Sequence, residues 1–153
     1  MKPLYIASCS FGKDSIATIL LALENNEPLD RVVFAEVMFD NERDISGEIP
    51  EHIEWVRSTA IPKIESMGVP VDVVRAERDY RYYFSCSIKR GRHKDKFCGF
   101  PLGGMCFINR DCKVGAIKRY YKQLGASNQI VTYIGIAKDE PSRLGRIDGS
   151  RKI

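Results

Sequence analysis

A small, polar hexapeptide near the N-terminus has the residue types that bind anions. Residues 10–15 read Ser-Phe-Gly-Lys-Asp-Ser. Glycine lets a backbone approach a ligand closely, lysine adds positive charge, and serine hydroxyls donate hydrogen bonds. The aspartate could cap a helix or help to hold a metal ion. The candidate ligands for an anion, most naturally a phosphate group, are Ser10, Gly12, Lys13 and Ser15.

The secondary structure predicted on either side of this hexapeptide determines its conformation. Residues 4–8 form an apolar run of strand length, and residues 16–23 are rich in Ala and Leu, which favours a helix. The hexapeptide would then be a strand-to-helix turn, where unpaired backbone N–H groups and the positive end of the helix dipole point at one spot. An ordinary serine–glycine turn with Asp14 as helix cap is the alternative.

The rest of the chain alternates between strand and helix patterns. Further strands are predicted at 31–38, 71–75 and 129–136, and helices after Pro50 and from about Lys113 to Leu124. This alternation predicts one α/β domain spanning 1–153, with a doubly wound, mostly parallel sheet. Asp40 follows the second strand, where open α/β sheets bind ligands. It could contact a ribose, a base edge or a metal, or it could cap the loop that follows.

A long stretch, residues 76–112, interrupts this alternation. It contains four aromatic residues between 80 and 84, followed by a basic run at 89–96. A connection of this length inside a compact domain is usually functional or mobile. We interpret it as an insertion that covers the substrate, with its aromatic residues partly in the core. Binding of single-stranded nucleic acid is the alternative, because aromatic side chains stack on bases and cations neutralise phosphates.

The cysteines allow two interpretations. There are five, an odd number that does not resemble the framework of a small secreted protein. Cys98, Cys106 and Cys112 are candidate metal ligands, but no CxxC pair is present, and free thiols are therefore the expected state. The cationic surroundings of Cys106 and Cys112 would favour a low thiol pKa.

Composition and charge limit the class of protein. The 153 residues are 44% hydrophobic and 29% charged, as in soluble globular proteins. No apolar run is long enough to span a membrane, and a strand pattern follows Met1 and Lys2 at once, so a cytoplasmic protein without a signal peptide is expected. The net charge of +4 hides a polarised chain, with eleven acids against four bases at 24–65 and twelve bases against four acids at 77–122. The basic half could receive a polyanion or be a solvated face.

Three motifs carry a resemblance to a known superfamily. The hexapeptide resembles the SGGxDS loop of the PP-loop ATP pyrophosphatases, which belong to the adenine nucleotide alpha hydrolase-like superfamily, with Phe11 in place of the first glycine. Residues 135–143 are similar to the G-[IV]-R-A-x-E-S-x-x-R element of its phosphoadenosine phosphosulfate (PAPS) reductase-like branch. Residues 99–101, Cys106 and Lys113 also resemble that branch, although Met105 replaces a tryptophan and the gap before Lys113 is long.

Membership of that branch implies a Rossmann-like, adenine nucleotide alpha hydrolase-like fold that binds an adenine nucleotide, PAPS or ATP, across the carboxyl edge of the sheet. The chemistry would be attack at, or cleavage beside, the α-phosphate or attached sulfate. Lys13, Lys113 and Arg143 would be the catalytic cations. The residues that would bind the nucleotide are Ser8, Ser10, Phe11, Gly12, Lys13, Asp14, Ser15, Asp40, Gly135 and Arg143.

One departure leaves the reaction open. PAPS reductases attack the sulfonate with a cysteine near the C-terminus, whereas no cysteine follows Cys112 here. A reductase would also need a thiol reductant protein as partner. The alternatives are an ATP pyrophosphatase that adenylates an acceptor, with Mg²⁺ held by the phosphates and Asp14 or Asp40, and a non-catalytic nucleotide or RNA binder. A homodimer is compatible with each of the three.

Overall fold

Four parallel strands form the centre of the molecule. The computed structural model describes residues 3–99, 106–124 and 129–136. Its strands are β1 (Leu4–Ser8), β2 (Arg31–Glu36), β3 (Met38–Asp40), β4 (Ile45–Ser46), β5 (Val71–Arg75) and β6 (Ile130–Tyr133). Its α-helices are α1 (Lys13–Glu24), α2 (Pro50–Trp55), α3 (Ile61–Ser66), α4 (Tyr80–Ser85) and α5 (Gly115–Gln123). Two π-helical segments, Val56–Ala60 and Ile108–Val114, join α2 to α3 and lead into α5.

The order of the main sheet is β5-β2-β1-β6, and every neighbouring pair is parallel. The predicted α/β class with a mostly parallel sheet is confirmed. The chain moves outward from β1 through β2 to β5 and then returns to the other side of β1 at β6. This reversal is compatible with a Rossmann-like fold, and open α/β sheets bind ligands at the carboxyl ends of the strands where the order reverses, here β1 and β6.

Helices cover both faces of this sheet. Ala7 and Val32 are register partners, and both are buried in a cluster with Ile19 of α1 and Val56 of the first π-helical segment. Ile6 and Val33 point to the opposite face, because side chains alternate along a strand. On that face α5 contacts β2 and β5, and its Tyr120 hydroxyl donates to Asp72. Burial on both faces explains the continuous apolar run in β2.

The helix predicted after Pro50 forms with an irregularity in its middle. It begins at Pro50, widens into the π-helical segment Val56–Ala60 and continues as α3 through Ser66. Pro62 lies in the first turn of α3. Proline has no N–H to donate to the preceding turn and its ring crowds that turn, so a local widening of the helix accommodates it.

Several predicted features differ from the structure. The second strand ends at Glu36, and Met38 belongs instead to the antiparallel hairpin β3–β4. The helix predicted from Lys113 begins earlier, at Ile108. The described part of the 76–112 insertion is largely ordered, since it contains α4 and a β-hairpin closed by a bridge between Ser87 and Phe97. No helix in the described segments has the length and apolar character needed to cross a bilayer.

Candidate functional site

The turn between β1 and α1 presents unpaired backbone donors. Gly12 is the residue before α1 and has an extended backbone, and no side chain caps the helix. Within the described ranges, the N–H groups of Lys13, Asp14 and Ser15 have no acceptor. The alternative that Asp14 caps this helix is therefore wrong. Three unpaired donors at the positive end of a twelve-residue helix suit a phosphate oxygen.

Hydroxyl and thiol groups gather at the same turn. The Ser15 hydroxyl donates to the Gly12 carbonyl at 2.9 Å and lies 3.4 Å from the Ser10 hydroxyl. The Cys9 thiol lies 3.5 Å from Ser15 Oγ, and it accepts the Phe11 N–H at 3.2 Å. Burial raises the pKa of the Cys9 thiol, which keeps it protonated near neutral pH. Sequence reasoning missed Cys9, although it lies next to the hexapeptide.

Phe11 contributes its backbone to the turn and its side chain to the core. Its φ of 58° lies in the left-handed region, which glycine adopts most easily. The ring is 3% exposed and packs edge-on against Phe34, with a centroid distance of 5.1 Å. The conformation explains why glycine suits this position, and burial of the ring offsets the strain. The side chain of Phe11 is therefore not available to a ligand.

Gly135, two residues after the end of β6, packs against the start of α1. A Cβ atom at Gly135 would lie 2.8 Å from the Asp14 carbonyl oxygen and 2.8 Å from Thr18 Oγ1. Real Cβ atoms essentially never come this close to other atoms, so this position requires glycine. We expected Gly135 to let the strand approach a ligand. The structure instead shows a close approach of Gly135 to α1.

Asp40 is buried, and both of its carboxylate oxygens accept hydrogen bonds. Its Oδ1 accepts the N–H groups of Glu42 and Arg43 at 3.0 and 3.1 Å, and its Oδ2 pairs with Arg81 of α4. Burial acts to raise the pKa of Asp40, but the hydrogen bonds from Arg43 and Arg81 outweigh it and hold the pKa below its ordinary value. The loop cap, which was the alternative to a ligand-binding role for Asp40, is confirmed. A ribose or a metal would have to displace Arg81 to reach this carboxylate.

We predict that Asp40→Asn makes the free energy of unfolding less dependent on pH between neutral and acidic pH. Because folding lowers the pKa of Asp40, its contribution is present above the unfolded pKa of about 3.9 and is lost as pH falls through the folded pKa. Urea unfolding between neutral and acidic pH measures this slope. Arg81→Met should flatten the slope in part, since the loop N–H groups remain. Equal slopes for wild type and Asp40→Asn would contradict the prediction.

A second acidic residue near this edge is held by arginines that sequence reasoning missed. Glu36, at the end of β2, is 1% exposed. Its Oε1 accepts Arg57 at 2.6 Å, and its Oε2 accepts Arg75 at 2.9 and 3.0 Å. Arg75 also donates to Asp44 at 2.7 Å. Both oxygens of Glu36 are therefore occupied, and its role is to link β2 to β5 and to the helix above them.

The structure describes two of the three residues predicted as catalytic cations, and the two lie in different places. Lys13 is exposed at the start of α1, next to the unpaired donors. Lys113 is half-buried in the π-helical segment Ile108–Val114, on the opposite face of the sheet from α1. Arg143 lies outside the described residues. Ser8 is the last residue of β1, is half-buried and pairs in register with Val33.

The three cysteines predicted as metal candidates have separate partners. The Cys98 sulfur contacts Cys86, Cys106 accepts the Asn109 N–H, and Cys112 donates to the Arg78 carbonyl. Among the described residues, no three His, Cys, Asp or Glu side chains are grouped to hold a metal ion. Burial and, to a lesser extent, the charges of Asp111 and Asp79 raise the pKa of Cys112 to about 11. The low pKa expected for Cys112 is therefore wrong.

A polar cavity of about 290 Å³ lies beyond the carboxyl end of β5. It is lined by Ala76, Glu77, Arg78, Tyr83, Asp111, Gly115 and Arg119. Burial and the Asp111 charge raise the pKa of Tyr83, so its hydroxyl stays protonated. Acids and arginines both line this cavity, so it lacks the uniform positive charge of an anion site.

Comparison of the chain with protein-family models, with curated proteins and with solved structures finds no match.

Proposed function

We propose that this chain binds an adenine nucleotide through the turn between β1 and α1 and acts at its α-phosphate or attached sulfate, as in the PAPS reductase-like branch that its motifs resemble. One observation carries the proposal. The uncapped start of α1 follows β1, where the strand order reverses from β1 to β6, and Gly135 packs against it. Ligands of open α/β sheets bind at such a reversal of strand order.

The conformation of the turn supports the proposed superfamily. Position 11 is left-handed, and the resembling loop has glycine at this position. The helix after it begins without a side-chain cap, which leaves its donors for a ligand. The adenine nucleotide alpha hydrolase-like fold is therefore our proposal for this α/β domain.

The residues of the turn would act on the phosphates in a defined way. The N–H groups of Lys13, Asp14 and Ser15 would bind phosphate or sulfate oxygens, and the Lys13 ammonium would stabilise negative charge as it develops. We also keep Lys113 and Arg143 as proposed catalytic cations that would stabilise charge on the phosphates or sulfate. If ATP is the ligand, Asp14 fits Mg²⁺ better than Asp40, because Asp14 is exposed whereas both Asp40 oxygens are occupied.

The structure bears on the choice between the two reactions. Cys9 lies at the turn, but its thiol is 3% exposed and burial raises its pKa. A thiol that attacks sulfur must be accessible and ionised, so Cys9 is poorly suited to sulfonate reduction. The adenylating reaction needs no protein thiol. We keep sulfonucleotide chemistry as the leading proposal on the motifs and the adenylating reaction as its direct competitor.

Calorimetric titration with PAPS, ATP and AMP tests the proposal. We expect one of the three to bind and Lys13→Ala to weaken binding roughly tenfold or more, since charged hydrogen bonds to phosphate are strong. Lys63→Ala is the matched control, because Lys63 is an exposed lysine on α3. No binding of any of the three nucleotides would refute the proposal. Release of AMP and pyrophosphate from ATP would identify the adenylating reaction.

Binding of RNA is a second candidate, favoured by the hairpin at 87–97. Phe97 is 73% exposed, and the cations on its loop are all exposed, namely Lys89, Arg90, Arg92, Lys94 and Lys96. Such a surface suits the bases and phosphates of a single strand. Salt-sensitive binding of single-stranded RNA that persists in a Lys13→Ala, Ser15→Ala variant would favour this candidate over the nucleotide site.

A further inference from the structure

Two cysteines face each other at the base of the 87–97 hairpin. The Cys98 N–H donates to the Cys86 carbonyl at 2.8 Å, so the two residues are opposite one another across the antiparallel pair. The next pairs outward are the Ser87–Phe97 bridge and the Ile88 N–H bonded to the Lys96 carbonyl at 2.8 Å. The two sulfur atoms are 2.8 Å apart. The hairpin therefore holds the two thiols in contact.

We propose that Cys86 and Cys98 are a redox-active dithiol that forms a reversible disulfide across the base of this hairpin. Opposite residues of an antiparallel pair have Cα atoms about 4.5–5.5 Å apart, within the range that a disulfide spans. Both residues are half-buried, so a small reagent can reach them. The closure needs no rearrangement of the backbone, since the hydrogen bonds of the hairpin already set the distance.

The reaction is thiol–disulfide exchange with a small-molecule disulfide, RSSR. The thiolate of one cysteine attacks RSSR, forms a mixed disulfide and releases one RSH. The second cysteine then attacks the mixed disulfide, forms the Cys86–Cys98 bond and releases the second RSH. The two protein thiols lose two electrons and two protons, and RSSR gains both. Excess RSH reverses the reaction.

The pairing is favoured because two of the other three cysteines are buried and the third, Cys106, has no cysteine in contact among the described residues. Cys9 and Cys112 are buried, and burial raises the pKa of each thiol. The Cys86 thiol also donates to the Tyr83 carbonyl at 3.1 Å, in the last turn of α4. Oxidation removes this S–H donor, but Cys86 is the C-terminal cap residue of α4, so a disulfide to Cys98 would tie the cationic hairpin covalently to the end of α4. This proposal does not depend on nucleotide binding.

The test equilibrates the full chain in buffers of reduced and oxidised glutathione. Burial and the contact with Cys98 raise the pKa of Cys86, so exchange is slow and the mixture must reach equilibrium before it is quenched. Alkylation then counts the free thiols, and trypsin cuts at the hairpin cations between the two cysteines. In oxidised buffer we expect the five free thiols to fall to three, with a linked peptide that contains Cys86 and Cys98.

Variants complete the test. Cys86→Ser and Cys98→Ser should each abolish the linked peptide, whereas Cys106→Ser should keep it. Five free thiols in every buffer would overturn the proposal, as would a stable glutathione adduct on either cysteine of the wild-type chain. A linked peptide that joins any other two cysteines would also overturn it.

Discussion

Replacing Gly135 with alanine is expected to destabilise the fold by about 1–3 kcal/mol, the usual cost of overpacking. The added Cβ would meet the Asp14 carbonyl oxygen and Thr18 Oγ1, each at 2.8 Å. The carbonyl belongs to the helix backbone, so relief requires a shift of α1 itself. We therefore also expect weaker nucleotide binding, because that shift moves the donors at the start of α1. Chemical denaturation and nucleotide titration measure the two effects.

Two further substitutions make this prediction specific. In Gly12→Ala the new Cβ meets Ser10 Oγ at 3.5 Å, an ordinary contact and the one found among the described residues, so stability should be nearly unchanged while a bound phosphate is crowded. Thr18→Ala combined with Gly135→Ala should recover part of the lost stability, because one of the two clashing oxygens is gone. If Gly135→Ala is as stable as wild type, the close packing of β6 on α1 is refuted.

Glu36→Gln is expected to lower the free energy of unfolding by about 2 kcal/mol, in the range of hydrogen bonds to charged groups. The buried carboxylate pairs with both Arg57 and Arg75. Without its charge the two guanidinium groups would share a neutral amide, which has one acceptor oxygen for two cationic donors. The cost is limited because Arg57 and Arg75 are 47% and 38% exposed and can be hydrated.

Asp44→Asn is the matched control for Glu36→Gln. Asp44 pairs with the same Arg75 at 2.7 Å, but it is 67% exposed. Exposed ion pairs contribute about 0–1 kcal/mol, so this variant should remain close to wild type in urea unfolding. Equal losses in the two variants would mean that burial of Glu36 does not strengthen the network.

The sequence predicted the features that depend on local pattern. The apolar run in β1, the small polar turn and the Ala- and Leu-rich α1 are each encoded within a few residues, and all three form. The parallel sheet followed from the alternation of strands and helices, because parallel neighbours need a crossover between them. The loop cap at Asp40 could be offered as an alternative to ligand binding because its N–H partners are only two and three residues away.

Features that depend on distant residues could not be predicted. Arg81 reaches Asp40 across 41 positions, and Arg75 reaches Glu36 across 39, with no local signal for either pair. The contact of Gly135 with α1 depends on the position of β6 beside β1, which only the folded sheet determines. Phe11 was placed at the ligand because of its neighbours, but its left-handed backbone turns the ring into the core.

The packing of β6 against α1 has a consequence for the energetics of anion capture. A flexible glycine-rich loop must lose conformational entropy when it wraps a phosphate, and this loss reduces affinity. Here the first turn of α1 is already immobilised by the strand end at Gly135 and by the buried ring of Phe11. The donor array is thus preorganised, and an arriving phosphate would have little of the chain left to order.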